Sequence, residues 1–323
     1  MPGPALDSPA AAMHFDHACA LQQQSHWEEA LAAYELAIAV KPDHAEAFLN
    51  RGVVLKVLGR FEDALASYNA AILLKRDFAA AYCNRGDLLS ESGSWNDALA
   101  SLDVAIAFAP DLAVAHSNRG NVLRHLGRHE DALASCDRAL ALDPESAAAH
   151  SNRGNVMRDK RQSGAALASY DRAVALFPEF AEAHSNRALV LKDRAQFDAA
   201  LAACDRALAI DAKLTAAYCN RAAILLEMQR QAAAIADLDR ALALDARAPN
   251  AYSARLHAQL QIADWRGLDA RLALLATRVA RERIVENPFY VLTLEDSGWL
   301  QRRAAETWAR EEFAEQGALG PIG

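Results

Sequence analysis

Apolar residues of defined size recur along this chain with a period of 34 residues. Within each period, position eight is glycine or alanine, positions 20 and 27 are alanine, and position eleven is leucine or methionine. The spacings 4, 8, 11 and 20, 24, 27 each follow one side of a helix, so each unit is predicted to form two amphipathic helices. Seven full units begin at Ala11, Ala45, Ala79, Ala113, Ala147, Ala181 and Thr215, and a degenerate eighth begins at Pro249.

Turn-forming residues separate the predicted helices. Position fifteen is glycine in three units, where left-handed backbone can close the first helix. Position 32 is proline in four units, where the missing N–H stops the second helix. These residues are Gly59, Gly93 and Gly127, and Pro42, Pro110, Pro144 and Pro178. The pattern resembles the tetratricopeptide repeat in all seven units, which implies an all-α fold, a right-handed superhelical solenoid of helix-turn-helix units.

The repeat pattern also predicts how the chain is divided. We expect a disordered tail over residues 1–10, seven repeats over 11–248, a degenerate repeat with a capping helix over 249–280, and a linker with a further helix over 281–323. Leu268, Leu272 and Leu275 replace the small residues of a normal unit. Bulkier side chains at these places suit a helix that ends the stack.

An asparagine recurs at position six of six consecutive units. Asparagine is a mediocre helix former, so helical propensity does not explain the repetition. Its amide can both donate and accept, and can therefore meet the C=O and N–H groups of an extended peptide. We predict a peptide-binding ladder on the concave face; the alternative is that asparagine only solvates that face or bonds a neighbouring turn. The residues are Asn50, Asn84, Asn118, Asn152, Asn186 and Asn220.

Two basic positions lie beside the asparagines. Position twelve is predicted to make part of the groove basic, which would slightly favour a peptide that carries carboxylates. Its residues are Lys56, Arg124, Arg158 and Lys192. The arginine at position seven stands 16 residues after an acidic residue in most units, and ion pairs between adjacent repeats are expected there. The expected pairs are Asp103–Arg119, Asp137–Arg153, Asp171–Arg187, Asp205–Arg221 and Asp239–Arg255.

Charge and hydropathy exclude several classes of partner. The net charge of −8 argues against nucleic acid. No apolar run is long enough to cross a bilayer, so no membrane association is expected. The first basic residue is Lys41, so the amino terminus lacks the basic region of a secretory signal. A cytoplasmic location is therefore expected, and a homodimer is left open.

No enzyme motif is apparent, and neither a catalytic residue, a cofactor nor a metal is expected. The chain has no GxGxxG, P-loop, GxSxG or HExxH sequence and no CxxC pair. Four of the five cysteines stand where other units carry tyrosine, leucine or serine, and the cysteines are interpreted as small hydrophobes. His125 and His129 have a metal-ligand spacing, but Gly127 between them breaks the helix and no third ligand is evident.

The segment after the repeats carries a second resemblance. ADWRGLDARLALL, followed by PFYVLTLED and a helix rich in arginine and alanine, resembles the segment that joins repeats to catalytic lobes in O-linked N-acetylglucosamine (O-GlcNAc) transferases and SPINDLY-type glycosyltransferases. The asparagine at position six also resembles that family's peptide-binding ladder. The two nucleotide-sugar-binding lobes of that family would begin near Gly323, so no catalytic residue is assigned.

Two functions of different classes follow from these resemblances. In the first, the chain is the substrate-recruiting arm of an O-GlcNAc transferase-like protein and holds an extended peptide or unstructured protein segment. In the second, it is a stand-alone adaptor scaffold for complex assembly. Both use the same groove, and the segment after the repeats favours the first. The bound peptide and any sugar donor are not specified by the sequence.

Overall fold

The computed structural model describes residues 9–282, 286–294 and 297–312. The chain comprises two compact units, one of residues 1–125 with 130–144 and the other of residues 126–129 with 145–323. The disordered tail predicted for residues 1–10 lies outside the described residues up to residue 8, and the first helix begins at Pro9.

The first unit consists of four successive helix pairs, in which α8 contributes all but its first residue. Each pair joins a first helix of 13 or 15 residues to a second helix of 14 residues. The helices are α1 Pro9–Gln23, α2 Trp27–Val40, α3 Ala45–Val57, α4 Phe61–Leu74, α5 Ala79–Glu91, α6 Trp95–Phe108, α7 Ala113–His125 and α8 His129–Leu142.

The second unit continues with three helix pairs and four further helices. The pairs are α9 Ala147–Asp159, α10 Ser163–Leu176, α11 Ala181–Asp193, α12 Phe197–Ile210, α13 Thr215–Glu227 and α14 Gln231–Leu244. The four helices that follow, which we call the C-terminal extension, are α15 Ala251–Gln261, α16 Leu268–Thr277, α17 Pro288–Leu294 and α18 Gly298–Glu312. A π-helical turn, Arg278–Glu282, follows α16. The described residues contain no strand, and the all-α prediction is confirmed.

Small residues at position eight let the two helices of a pair approach closely. A Cβ atom placed on Gly52 would lie 2.5 Å from Cε1 of Tyr68, and one on Gly154 would lie 2.8 Å from the same atom of Tyr170. Both tyrosines are buried. Atoms that close would overlap, so a side chain at position eight of these two repeats would require the opposite ring to move.

The turn inside each pair passes through a residue with positive φ. Gly93 has φ of 76°, as its glycine predicts. Ala195 and Gln229 occupy the same position with φ of 57° and 58°. A side chain is disfavoured in this left-handed conformation, so the fold imposes the turn even where the sequence offers no glycine. Ser25 and Arg161 are held in the same way.

Four of the five predicted ion pairs are confirmed. The carboxylate and guanidinium atoms lie 2.6 Å apart in Asp103–Arg119, Asp171–Arg187 and Asp205–Arg221, and 2.5 Å apart in Asp239–Arg255. The fifth pair, Asp137–Arg153, has one residue in each unit and stays a prediction.

Five of the position-seven arginines have a second acceptor that sequence reasoning missed; they are Arg51, Arg85, Arg119, Arg153 and Arg221. Arg51 donates to Ser67 Oγ at 2.9 Å as well as to Glu35 at 3.0 Å. Arg221 makes two hydrogen bonds to Asp237, at 2.8 and 2.6 Å. Arg51 and Arg221 therefore each tie their first helix to the second helices of two adjacent repeats.

The C-terminal extension is held by its own apolar cluster and by a buried ion pair. Leu275 is fully buried and Leu268 and Leu272 pack beside it, at the places where the sequence predicts a capping helix. Arg278 donates to Glu286 at 2.9 Å, and their side chains are only 7% and 0% exposed. Glu286 also accepts from the backbone N–H of Ser253 at 3.1 Å. This carboxylate therefore links the segment before α17 to the start of α15.

Candidate functional site

All six asparagines lie on first helices and are half-buried. Asn50, Asn84 and Asn118 lie on α3, α5 and α7 of the first unit, and Asn152, Asn186 and Asn220 lie on α9, α11 and α13 of the second. The 34-residue period places each one at the same level of its helix. We call the face of the first helices that carries positions 2, 5, 6, 9, 12 and 13 the first-helix surface.

Three of the asparagine side chains donate to position nine of the preceding repeat. Asn118 Nδ2 donates to Asp87 Oδ1 at 3.5 Å, and Asn186 Nδ2 lies 3.2 Å from Asn155 Oδ1. Asn50 Nδ2 makes a weaker contact, 3.8 Å long, with the thiol of Cys19. All three partners stand 31 residues earlier, at position nine. The polar residues at position nine are the feature of the sequence from which these hydrogen bonds could have been predicted.

The residue at position nine also explains why Asn84 and Asn220 do not donate to that position. Asn84 faces a repeat with Val53 at that position, and its side chain makes no hydrogen bond within the described part of the chain. Asn220 follows a repeat with Leu189 there, and donates instead to Ser185, at 2.9 Å to the hydroxyl and 3.3 Å to the carbonyl oxygen. The neighbouring side chain therefore decides how much of each amide is occupied.

These bonds set the orientation of the amides. A carboxylate at Asp87 and a backbone carbonyl at Ser185 can only accept, so the Nδ2 atoms of Asn118 and Asn220 must point toward them. The carbonyl oxygens of these two amides accept no hydrogen bond from any residue that the structure describes. Each amide therefore retains a free acceptor, and at most one free N–H.

The two lysines at position twelve are paired with carboxylates. Lys56 Nζ makes a short contact with Asp87 and lies 2.8 Å from Glu91. Burial disfavours the charged form of Lys56, but the hydrogen bonds that it donates to the two carboxylates outweigh this effect, and the pKa of Lys56 is raised. The ammonium is therefore charged and already neutralised by its own neighbours.

Lys192 repeats this arrangement in the second unit. Its Nζ atom lies 2.9 Å from Glu227 and 3.2 Å from Asp193, and its side chain is 18% exposed, against 50% and 47% for the two carboxylates. Burial again lowers the pKa of Lys192, and the two carboxylates raise it. The carboxylates together have the larger effect, so the pKa of Lys192 is raised. Each lysine is accompanied by two carboxylates, so the expectation of a basic groove is wrong at Lys56 and Lys192.

The two arginines at position twelve have neighbours on their own helices. Arg158 lies 3.3 Å from the carboxylate of Asp159. Arg124 donates to Asn121 at 3.4 Å and lies 2.5 Å from the imidazole of His125, which stacks on Trp95 with ring centroids 4.0 Å apart. Neither arginine offers an isolated positive charge.

The histidines and cysteines have structural surroundings. His116 and His184 bond the carbonyl oxygens of Pro110 and Pro178, at 2.9 and 3.0 Å. Burial raises the pKa of the Cys83 thiol to about 12, so it stays protonated. Burial likewise raises the pKa of Cys204 to about 12 and that of Cys219 to about 11. Packing roles account for these side chains.

Two searches of the described residues gave negative results. No cluster of three or more histidine, cysteine, aspartate or glutamate side chains within them could hold a metal ion. None of their helices has the length and apolar character needed to cross a membrane.

Comparisons with known proteins agree on one kind of repeat. Family models described as Tetratricopeptide repeat match residues 15–82, 113–146, 151–214 and 215–247. A search of curated proteins finds no significant match.

Three solved structures illustrate the similarity in fold. A tetratricopeptide repeat protein from Parabacteroides merdae is 16% identical, with a TM-score of 0.60 over 74% of this chain and 94% of that one. The Cut9–Hcn1 hetero-tetramer of the APC/C is 16% identical, with a TM-score of 0.69 over 75% of this chain and 48% of that one. The type IV pilus biogenesis factor PilW is 21% identical, with a TM-score of 0.56 over 62% and 94%. At these identities the likeness concerns the fold alone.

Proposed function

This chain belongs to the tetratricopeptide repeat family, and from that premise we propose that it is a protein-binding scaffold whose first-helix surface holds an extended, unstructured segment of a partner. The observation that carries the proposal is the recurrence of half-buried asparagine amides at one level of successive first helices, with a free carbonyl oxygen at Asn118 and Asn220. An acceptor repeated at one level of successive helices suits main-chain N–H groups, which every residue except proline offers.

The hydrogen bonds to position nine sharpen the proposed ladder. An amide held by its Nδ2 atom loses less side-chain entropy on binding than a free one, so its carbonyl oxygen is pre-oriented for a ligand. Asn118 and Asn220 are of this held kind, whereas Asn84 is unrestrained. We therefore infer that the ladder consists of acceptors first and donors second.

The charges of the surface favour a basic partner over an acidic one. Lys56 and Lys192 each stand beside two carboxylates, and the whole chain carries a net charge of −8. Complementary charge mainly accelerates encounter and selects among partners. The slight preference for acidic peptides expected from position twelve is thereby reversed in this proposal.

Two biological settings fit a scaffold of this kind. We propose first that it is the substrate-recruiting arm of an O-GlcNAc transferase-like protein, on the strength of the segment ADWRGLDARLALL and PFYVLTLED. In the structure these residues contribute α16 and α17, which pack in one apolar cluster with α15. The second setting is an adaptor for complex assembly, in the cytoplasm. It is favoured by the fold shared with Cut9, which is found with Hcn1 in a hetero-tetramer.

The test is a peptide selection followed by substitution of the asparagines. Unstructured 16-mer peptides displayed on phage would be selected on the full chain, and the enriched peptides titrated at fixed salt. Replacing Asn84, Asn118, Asn152 and Asn186 with alanine is expected to weaken binding by at least tenfold, since each lost hydrogen bond costs about 0.5–1.5 kcal/mol.

Single substitutions separate binding from stability. Asn84→Ala breaks no hydrogen bond that the structure describes, so it should weaken peptide binding without lowering the urea midpoint of unfolding. Asn220→Ala removes the hydrogen bonds to Ser185 and should lower both the peptide affinity and the urea midpoint. Unchanged affinity in the quadruple variant, shown by circular dichroism to remain helical, would rule out the ladder.

A further inference from the structure

A cavity of about 570 Å³ lies in the second unit, where α13 and α15 meet α17. Cys219 and Glu227 of α13 and His257 of α15 line it from positions 5, 13 and 9 of their repeats. These are positions of the first-helix surface. Lys192 on α11 also lines the cavity, and Tyr290 on α17 forms part of its wall. The cavity is therefore the place where the C-terminal extension encloses one end of the first-helix surface.

The size of this cavity suits a bound group. Its volume lies within the range of about 300–1,000 Å³ that is typical of small-ligand sites. It is much larger than the space needed for one water molecule, about 30 Å³. A long side chain with part of its main chain fits such a volume.

The charges on its wall favour a cation. Lys192 is the one basic side chain among the lining residues, and it is paired with Glu227 at 2.9 Å and with Asp193 at 3.2 Å. Those two carboxylates are about half-exposed, whereas the lysine side chain is largely covered. Asp193 does not line the cavity, but with Glu227 it gives the group of three a net charge of −1, and Glu227 is the accessible carboxylate on the wall.

An aromatic pair stands beside this charge. The rings of His257 and Tyr290 lie 4.9 Å apart between centroids, at an interplanar angle of 33°. The hydroxyl of Tyr290 makes no hydrogen bond to a residue in the described ranges. Burial, followed by the charge of Glu227, raises the pKa of Tyr290, which keeps the phenol neutral. A planar cation can stack on such a ring while it pairs with a carboxylate.

We propose that this cavity binds an arginine side chain of the segment held on the first-helix surface, with the guanidinium stacked on Tyr290 and paired with Glu227. Arginine fits better than lysine because its planar guanidinium offers both a stacking face and a fork of donors. The proposal rests on the proposed function, since it names the side chain that anchors the bound segment. The cavity would then select for an arginine in the bound segment, whereas the neighbouring ladder contacts main chain and does not distinguish side chains.

The probe that tests the cavity is N-acetyl-arginine amide, titrated into the full chain and followed by isothermal calorimetry and by histidine ring NMR signals. We expect saturable binding and a shift of the His257 signals, with N-acetyl-lysine amide at least threefold weaker and N-acetyl-glutamate amide without effect. Absence of saturable arginine binding at millimolar concentrations, or stronger binding of the glutamate probe, overturns the proposal.

Substitutions locate the binding. Glu227→Gln should weaken the arginine probe at least tenfold, because hydrogen bonds to charged groups contribute about 1.5–3 kcal/mol. Tyr290→Leu should weaken it about two- to fivefold, as expected for loss of a cation–π contact, while Tyr290→Phe should bind like the parent chain. Lys192→Met should tighten binding, because it removes the cation that competes for Glu227. If Lys192→Met abolishes binding, the cavity is an anion site and the proposal is wrong.

The first unit supplies a matched control. Glu91 holds the same repeat position as Glu227 and pairs with Lys56 at 2.8 Å, but it does not line this cavity. Glu91→Gln should leave the affinity unchanged, and an equal loss in both variants would show general attraction of cations to an acidic chain. The probe is too short to span the asparagines, so Asn84→Ala should not affect it. Failure of the ladder and failure of the cavity are therefore separate results.

Discussion

Within the second unit, the three helix pairs and the C-terminal extension place their ion pairs in different surroundings. In the pairs, the ion pair Asp171–Arg187 repeats at each junction and stays open to water, with side chains 49% and 29% exposed. In the extension, Arg278 and Glu286 form a single pair that is 7% and 0% exposed. The repeats thus provide several weak ion pairs of one kind. The extension instead has one buried ion pair, in which both charged groups need their partners.

The largest expected effect comes from breaking the buried pair. Glu286→Leu would leave the Arg278 guanidinium buried without its carboxylate and the N–H of Ser253 without its acceptor. The loss of stability is expected to be about 3–5 kcal/mol. Urea unfolding, combined with hydrogen exchange of α15 and α17, measures it.

The exposed pair is the control for that measurement. Asp171→Ala should cost only about 0–1 kcal/mol, because an exposed ion pair contributes little. The double variant Arg278→Met with Glu286→Leu should recover much of the loss, since it leaves no unpaired buried charge. Equal losses for Glu286→Leu and Asp171→Ala would contradict the distinction between the two regions.

The next effect concerns the close packing of the helix pairs. Ala166 on α10 is fully buried at position 20, where a larger side chain has no room. Ala166→Leu is expected to destabilise the second unit by about 1–3 kcal/mol through overpacking, as is Ala132→Leu in the first unit. Ala168 lies exposed on the same helix, so Ala168→Leu should stay within about 0.5 kcal/mol of the parent chain. Thermal unfolding by circular dichroism compares the three.

The smallest effect concerns the turns inside the pairs. Ala195 adopts φ of 57°, where a Cβ atom costs about 1–2 kcal/mol, while glycine loses about 0.5–1 kcal/mol in chain entropy. Ala195→Gly should therefore stabilise the second unit by about 0.5–1 kcal/mol. The reverse change, Gly93→Ala, should destabilise the first unit by a similar amount, because no atom lies within 4 Å of the added Cβ and only backbone strain remains. A fall in the urea midpoint of Ala195→Gly would contradict this.

The repeating features of the fold were predictable because every repeat carries the same types of residue at the same positions. Helix pairs, small residues at position eight and ion pairs at an offset of 16 residues follow from the 34-residue period. The placement of the six asparagines on first helices follows for the same reason. A single helix was predicted after residue 280, whereas the structure has α17 and α18, because that segment has no second copy to compare.

The sequence by itself determined which side chains face one another from repeat to repeat, because a fixed period converts spacing along the chain into spacing in space. Only the tertiary structure decided how those side chains share their hydrogen bonds. It neutralised Lys192 with Glu227 of the next repeat and turned Asn220 toward Ser185. It also paired Arg278 with Glu286 and enclosed the cavity with α17, since contacts that occur once leave no periodic trace in a sequence.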